Sequence, residues 1–196
     1  MNKQTFSSKS FQEIFDKENR KGKDLEKRFK TTFEQTINQR LLIQSLNKRI
    51  KAEKDKETRN SLVDRKQELK LEREKSLTEI FEQISITVNK SNYSILLEEG
   101  DIYGKQSYCL EESPENLFLS KRMQENIFDT YETKQSSRYE ILSQLINLLE
   151  DGFPKIVIRT DIVSFYESIP QIRLINKLKE DNLLSIRTLK FIKSIF

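Results

Sequence analysis

The feature that most constrains the fold is a long run without helix-breaking residues: no glycine or proline occurs from Lys23 to Glu99. Gly and Pro are the least favourable residues inside a helix, so their absence permits long uninterrupted helices. Apolar residues also recur at about four-residue intervals, which is typical of one helix face. The first apolar stripe comprises Leu25, Phe29, Phe33, Ile37, Leu41, Leu46 and Ile50, and the second comprises Leu62, Leu69, Leu77, Ile80, Phe81 and Ile84.

A polar segment separates the two stripes, and its only apolar residue between Lys51 and Ser61 is Ala52. The pattern predicts two long antiparallel helices with a polar tip, an αα-hairpin over residues 23–85. From Lys48 to Lys75, 18 of 28 residues are charged, 11 basic and 7 acidic. This composition fits either a solvated tip or an arm that carries cations to a phosphate backbone. In the second interpretation the nucleic-acid-binding residues are Lys48, Arg49, Lys51, Lys54, Lys56 and Arg59.

The other regions give an α+β fold class that is mostly helical. Residues 1–22 form an N-terminal segment whose short helix begins near Ser10 and ends at Gly22. Residues 86–154 have the mixed pattern of an α/β region. Its predicted strands are Ile86–Val88, Tyr93–Leu97 and Gln106–Glu111, with turns at Gly100-Asp101 and Gly104-Lys105.

Helices and one strong strand are predicted further along the chain. A helix is expected from Pro114 to about Tyr131, and a buried one follows the capping box Ser137-Arg-Tyr-Glu140. The best strand of the sequence is Lys155 to Ile162, within a fourth region at 155–196. Helices are expected after Pro170 and Ser185. Asp181-Asn182 is expected to end the first, and the second is expected to run to the end of the chain.

Composition excludes several classes of site. The 196 residues contain no His, which excludes His-based triads and Cys₂His₂ zinc sites. The single cysteine, Cys109, excludes a disulfide framework and fits a cytoplasmic protein. No apolar run approaches the roughly 20 residues of a membrane helix, so no membrane partner is expected. The net charge of +4 permits a nucleic-acid partner without requiring one.

One segment carries a pattern suited to chemistry. In Ile156-Val-Ile-Arg-Thr-Asp161-Ile-Val-Ser-Phe-Tyr166 an apolar strand ends in an aspartate and an aromatic pair follows. A carboxylate at the end of a strand can hold a divalent cation against phosphates. Tyr166 could form a flat wall beside a bound sugar. The residues alone leave a structural alternative open, in which Asp161 caps a turn and the aromatic pair belongs to the core.

The stretch Arg159-Thr-Asp161-Ile-Val-Ser-Phe-Tyr166-Glu-Ser-Ile169-Pro resembles the first catalytic palm motif of reverse transcriptases. Retron, group II intron and defence-associated enzymes share a hydrophobic strand followed by Asp-Ile-x-x-Phe-Phe/Tyr-x-Ser-Ile. The segment from Lys134 to Gly152 is similar to the loop and helix that precede this motif. The N-terminal sequence from Gln4 to Gly22, with the charged hairpin, resembles antiviral reverse transcriptases of the third defence-associated type, in the first of their two polymerase subunits.

The resemblance implies a right-hand polymerase in which the hairpin is followed by partial fingers and the start of a palm. Asp161 would coordinate the catalytic Mg²⁺ ions, or Mn²⁺, with help from the main-chain carbonyl of Ile162. Tyr166 would be the wall that excludes a ribose 2′-hydroxyl, and Phe165 would pack beneath it. Basic finger residues would contact the triphosphate, namely Lys105, Lys121, Arg122 and Arg138.

The resemblance also implies partners: an RNA template or noncoding RNA, a DNA product, deoxynucleoside triphosphates and a second reverse transcriptase subunit. The sequence departs from the family in one respect, since it contains no pair of adjacent aspartates. Those carboxylates complete the two-metal site of the family. We therefore expect the sequence to be the N-terminal portion, or fragment, of a longer polymerase and to be inactive by itself.

Two interpretations from other classes remain open. One is a catalytically inactive helical module that binds RNA or a protein through Lys48–Lys75. The other is a structural coiled-coil adaptor.

Overall fold

The structure is a computed structural model and describes residues 4–95, 97–102, 104–133, 137–150, 152–156, 158 and 168–195. In this part of the chain the fold is mostly helical with one small antiparallel sheet, so the coarse fold class is confirmed. The described helices are α1 (Ser8–Arg20), α2 (Leu25–Arg28), α3 (Lys30–Ala52), α4 (Lys56–Val88), α5 (Pro114–Tyr131), α6 (Arg138–Glu150), α7 (Gln171–Asp181) and α8 (Ile186–Lys193), and the strands are β1 (Leu97–Ile102) and β2 (Lys105–Leu110).

The described chain packs into two compact units, and the boundary lies inside α5. The first unit contains the described residues up to Gln124 together with Ile195, and the second contains Glu125–Ser194. No helix of the described residues is both long enough and apolar enough to cross a membrane. The division into four regions made from the sequence stays a prediction.

Phenylalanine rings from four helices form the core of the first unit. Phe15 of α1 stacks on Phe33 of α3 with ring centroids 5.6 Å apart, and it meets the edge of Phe81 of α4 at 5.4 Å. Phe118 of α5 packs edge-on against Phe81 at 5.5 Å and lies 5.9 Å from Phe11. All five rings are buried. Because aromatic pairs in these geometries add to the gain from burial, the cluster joins the base of the hairpin to α1 and α5.

The predicted hairpin is confirmed, and its buried seam has the spacing of a coiled coil. Positions 36, 39, 43, 46 and 50 of α3 are buried or half-buried, as are positions 62, 66, 69, 73, 76 and 80 of α4. Alternating steps of three and four residues keep one seam against a partner helix. Polar groups fix the register: the Gln39 side-chain amide donates to Ser76 Oγ at 3.3 Å, and Arg73 Nε donates to the Thr36 carbonyl at 3.3 Å.

The buried carboxylate of Glu26 links α2 to both helices of the hairpin. The Glu26 side chain is only 2% exposed and lies 2.8 Å from Arg40 of α3 and 2.8 Å from Arg73 of α4. Asp24, the N-cap of α2, lies 3.2 Å from the same Arg40 guanidinium. A buried charge is tolerated only when it is paired and hydrogen-bonded. The two arginines therefore hold Glu26, and through it the short helix, in place.

The apolar stripe predicted for residues 25–50 is confirmed at Leu25, Phe29, Phe33 and Leu46, which are buried, and it fails in the middle of α3. Leu41 is 55% exposed, and Ile37 is only half-buried. Each step of four residues turns about 40° past a full turn of an α-helix. The stripe beginning at Phe33 therefore rotates away from α4, whereas the steps of three and four that include Thr36 and Gln39 remain on it.

The strand prediction for residues 86–97 is also wrong. Ile86–Val88 is the last turn of α4, because Phe81, Ile84 and Val88 continue a buried helical face. Tyr93, Ser94 and Ile95 lie outside any strand, and β1 begins only at Leu97. Gly100 and Asp101 lie within β1 and pair with Ser107 and Gln106, so the turn is at Gly104, which has φ +76°. The strand predicted at Gln106–Glu111 is confirmed as β2.

Helix boundaries in the second unit agree with the sequence signals. Ser137 and Glu140 exchange hydrogen bonds with each other's backbone N–H, as a capping box requires. Asn182 ends α7 in the left-handed conformation at φ +49°, and the Ser185 side chain caps α8. The last helix ends at Lys193, earlier than expected, where the Ser194 N–H bonds back to Lys190.

Two expectations for the second unit are wrong within the described residues. None of the residues of α6 is buried; its large apolar side chains, Ile141, Leu142, Leu145, Ile146, Leu148 and Leu149, are exposed, because burial needs a facing surface and no described residue covers them. Lys155, Ile156 and Ile158 are not in a strand. Ile156 is 92% and Ile158 77% exposed, and without a paired neighbour an extended segment forms no ladder. The remaining positions of that predicted strand lie outside the described residues.

The Glu26 anchor can be tested by truncation. The Glu26→Ala variant is expected to lower the free energy of unfolding by about 3 kcal/mol, because Arg40 and Arg73 lose a shared buried partner. Urea unfolding followed by circular dichroism measures this loss. The control is Glu79→Ala, an exposed carboxylate of α4, for which a change below about 0.5 kcal/mol is expected. Equal losses in the two variants would contradict the assignment.

Candidate functional site

The predicted catalytic segment lies outside the described residues. This applies to Asp161, Ile162, Phe165 and Tyr166, so their roles stay predictions. The described chain resumes at Ser168, and Pro170 then serves as the N-cap of α7. The helix expected after the motif is therefore present.

The predicted metal ligands are oxygen atoms, which suit Mg²⁺, but there are too few of them in this sequence to complete a two-metal site. A carboxylate at Asp161 and a carbonyl at Ile162 are the hard oxygen ligands that Mg²⁺ prefers. The sequence has no adjacent pair of aspartates to complete a two-metal site. Among the described residues, no group of three or more acidic or cysteine side chains is placed to hold a metal ion.

The predicted triphosphate-binding cations are not brought together by any described contact. Arg122 Nε donates to the Thr5 carbonyl at 3.0 Å and so ties α5 to the segment before α1. Lys121 Nζ lies 3.9 Å from the buried Glu18 carboxylate. Arg138 is exposed in the first turn of α6. The Lys105 side chain lies outside the described atoms, so a triphosphate site stays a prediction.

Glu18 is the buried carboxylate that accounts for the position of Lys121. Its Oε1 accepts a hydrogen bond from Lys21 at 2.8 Å, and its Oε2 accepts one from Lys23 at 2.7 Å. These two bonds, the one from Lys21 first, lower the pKa of Glu18 to about 2, and the charge of Lys121 acts in the same direction. Three lysines therefore surround the Glu18 carboxylate near the C-terminal end of α1, and Lys121 has an ion-pair partner within the fold.

The tip of the hairpin presents the six cations predicted to bind nucleic acid. Lys48, Arg49 and Lys51 lie in the last turns of α3, Lys54 lies in the connection, and Lys56 and Arg59 begin α4; all six are exposed. We call these six residues the cationic tip. In the described part of the chain none of their charged groups takes part in an ion pair.

Two of the three carboxylates near the cationic tip are bonded to the backbone. Asp55 caps α4 by accepting from the Thr58 N–H at 2.8 Å, and this bond lowers the pKa of Asp55. Glu53 accepts from the N–H groups of Lys54 and Asp55 at 2.9 and 3.1 Å. Further along α4, Arg65 lies 2.9 Å from Glu68 and 3.6 Å from Glu72. The six cations of the tip outnumber the three carboxylates Glu53, Asp55 and Glu57, so the tip keeps an excess of positive charge.

The sequence did not predict an open groove that is present on the first unit. It has a volume of about 580 Å³ on the outer side of α2 and α3 and includes Lys30, Ile37 and Leu41. The sequence pattern assigned Ile37 and Leu41 to the same helix face as the buried Phe33 and Leu46. The adjacent Leu41-Leu42 pair, which is too wide for one seam, was the signal that apolar side chains would be left on the outer face.

The chain matches no protein-family model, no curated protein and no solved structure.

The Glu18 cluster predicts an acid-sensitive contribution to stability. Glu18→Gln is expected to lower the free energy of unfolding by about 2 kcal/mol at pH 7, a value reduced by the solvent exposure of Lys21 and Lys23. Because the pKa is lowered on folding, the carboxylate stabilises above its ordinary value of 4.5 and loses this effect as the pH falls toward 2.

The measurement is urea unfolding of both proteins between pH 7 and pH 2, where the difference should shrink below pH 4.5. Glu13→Gln, an exposed carboxylate of the same helix, is the control and should show little difference at any pH. A Glu18→Gln difference that stays constant down to pH 2 contradicts the charge assignment.

Proposed function

We propose that the chain is the N-terminal part of an RNA-directed DNA polymerase, a reverse transcriptase that acts in antiviral defence. The observation that carries the proposal is the segment Arg159-Thr-Asp161-Ile-Val-Ser-Phe-Tyr166-Glu-Ser-Ile169-Pro, whose order of residue types is that of the first palm motif. A carboxylate and a sugar-excluding aromatic at this spacing serve nucleotidyl transfer directly. A similarity of fold alone would not support an activity.

The helices on either side of the motif support the proposal. The capping box at Ser137 and Glu140 begins a helix upstream, and α7 begins just after Pro170 downstream. The mostly helical first unit, with its long hairpin, is compatible with an extension in front of a polymerase. The fingers and palm are part of the proposal.

In the proposed reaction Asp161, with the main-chain carbonyl of Ile162, would hold a divalent cation, whose charge would stabilise the transferring phosphoryl group. Tyr166 excludes the ribose 2′-hydroxyl by contact, and Phe165 supports the ring from below. Paired carboxylates absent from this sequence complete the site. The proposed partners are an RNA template or noncoding RNA, a DNA product, deoxynucleoside triphosphates and a second reverse transcriptase subunit.

The second candidate is a catalytically inactive helical module that binds RNA or a protein. The observation that favours it is the cationic tip, whose six side chains are all exposed. This candidate predicts binding that is independent of Asp161 and no nucleotide incorporation.

Removing the metal carboxylate tests the polymerase directly. In the natural full-length protein, Asp161→Asn is expected to reduce metal-dependent incorporation of deoxynucleotides at least about 100-fold, corresponding to ~3 kcal/mol of lost stabilisation. Primer extension on an RNA template with Mg²⁺ or Mn²⁺ measures the rate. Asp64→Asn, an exposed carboxylate of α4, is the control and should retain full activity. If the Asp161→Asn variant still extends the primer at the original rate, Asp161 is not the metal ligand.

The sugar-selecting wall has its own test. Tyr166→Ala is expected to raise the ratio of ribonucleotide to deoxynucleotide incorporation by about 10- to 100-fold, since the 2′-hydroxyl then meets no obstacle. Tyr166→Phe keeps the flat ring and should keep the selectivity. Competing single-nucleotide incorporation assays measure both ratios. An unchanged ratio in Tyr166→Ala shows that sugar selection comes from another residue.

A further inference from the structure

We propose that the cationic tip binds the phosphate backbone of a nucleic-acid duplex, without reading its bases. This inference is independent of the polymerase proposal, because it needs neither Asp161 nor nucleotide transfer; it rests on the second candidate function and names the class of ligand. The tip is well placed for such contact. Ala52, at the end of α3, lies about 20 Å along the helix from the last described polar contact between the arms, Gln39 to Ser76.

The first argument is that the cations of the tip are not needed for internal pairing. All six are exposed, and in the part of the chain that the structure describes none of their charged groups pairs with a carboxylate. Elsewhere in the first unit, arginines and lysines do pair, as Arg73 does with Glu26 and Lys23 with Glu18. The tip therefore combines a high density of positive charge with full access from solvent.

The second argument comes from the ends of the helices. Arg49 and Lys51 lie in the last turn of α3, where cations stabilise a helix. Lys56 and Arg59, however, lie in the first turn of α4, where the helix dipole disfavours positive charge, and the N-cap Asp55 and Glu57 supply the negative charge that this end favours. Helix stability does not account for these two residues, and together with Lys54 they add to the positive potential of the helix terminus. An external anion at this helix end would interact favourably with all three cations.

The third argument identifies the class of anion. From Glu34 to Ile80 the sequence contains no aromatic residue. Proteins that bind single strands stack unpaired bases on aromatic side chains, whereas double-stranded RNA is held mostly through its shape, 2′-hydroxyls and phosphates. An aromatic-free arm with a cationic end therefore fits the backbone of a duplex. Its binding should be independent of base sequence.

A protein partner fits the tip less well. Lysine is depleted in protein interfaces, which depend on buried aromatic or arginine anchors. Four of the six tip residues are lysines, and the apolar residues near them are Ala52, which is exposed, and Ile50, which is half-buried. Such a surface offers charge without an apolar anchor.

The test measures binding of the purified chain to a fluorescent 20-base-pair RNA duplex by anisotropy at several KCl concentrations. The variant Lys51→Gln/Lys54→Gln/Lys56→Gln removes three tip charges. The matched control Lys70→Gln/Lys75→Gln/Lys90→Gln removes three exposed lysines that belong to the same unit but lie outside the tip. Competitors are a single-stranded RNA of the same length and a polyglutamate of equal charge. Circular dichroism checks that all three proteins are equally helical.

We expect the tip variant to bind the duplex at least about tenfold more weakly at 100 mM KCl. The slope of log K against log salt should also become shallower by about 2 to 3, because each phosphate contact contributes ~0.9. The control variant should keep most of the affinity and slope. The duplex should compete more strongly than the single strand or the polyglutamate, and changing its sequence should change nothing.

Four outcomes overturn the proposal. They are equal weakening in the tip and control variants, an unchanged slope in the tip variant, stronger competition by the single strand, and competition by polyglutamate as strong as by the duplex. The last outcome would favour an acidic protein partner. Asp161→Asn leaves the tip intact, so duplex binding that persists in this variant is independent of the polymerase proposal, and the two can fail separately.

Discussion

The packing of Phe15, Phe33 and Phe81 is the contact on which the first unit depends. These rings lie far apart in sequence, and their mutual contacts at 5.4 to 6.2 Å bring the base of the hairpin onto α1. Phe118 extends the cluster to α5. Aromatic rings bury more apolar area than any other side chain, so a few of them suffice to hold four helices together.

From this base the hairpin extends as an arm whose register is set by polar groups rather than by apolar ones. The contacts of Gln39 with Ser76 and of Arg73 with Thr36 are directional, and Glu26 engages Arg40 and Arg73 at once. A polar residue in a helical seam favours one register because any other leaves it without a partner. The arm therefore carries the cationic tip at a defined distance from the core.

Much of the local structure was predictable from the sequence because its signals are local. The absence of Gly and Pro gave the two long helices, and Ser137, Asn182 and Ser185 marked helix ends that the structure confirms. The sequence-based prediction was wrong where the conformation depends on contacts between segments that are distant in sequence. Ile86–Val88 has strong β propensity, yet it continues α4 because Val88 packs into the core and Ser85 donates to the Phe6 carbonyl. Tertiary contacts overrode the propensity of three residues.

The candidate sites also have some features that the sequence predicts and others that depend on tertiary contacts. The sequence by itself determined the order and spacing of Asp161 and Tyr166 and the positive charge of the hairpin tip, because both are properties of residue type and position. Only the tertiary structure decided that Lys121 faces the buried Glu18, that Arg122 binds the Thr5 carbonyl and that Leu41 points outward. The physical reason is that burial and pairing depend on which distant segments meet, and periodicity along a single helix does not contain that information.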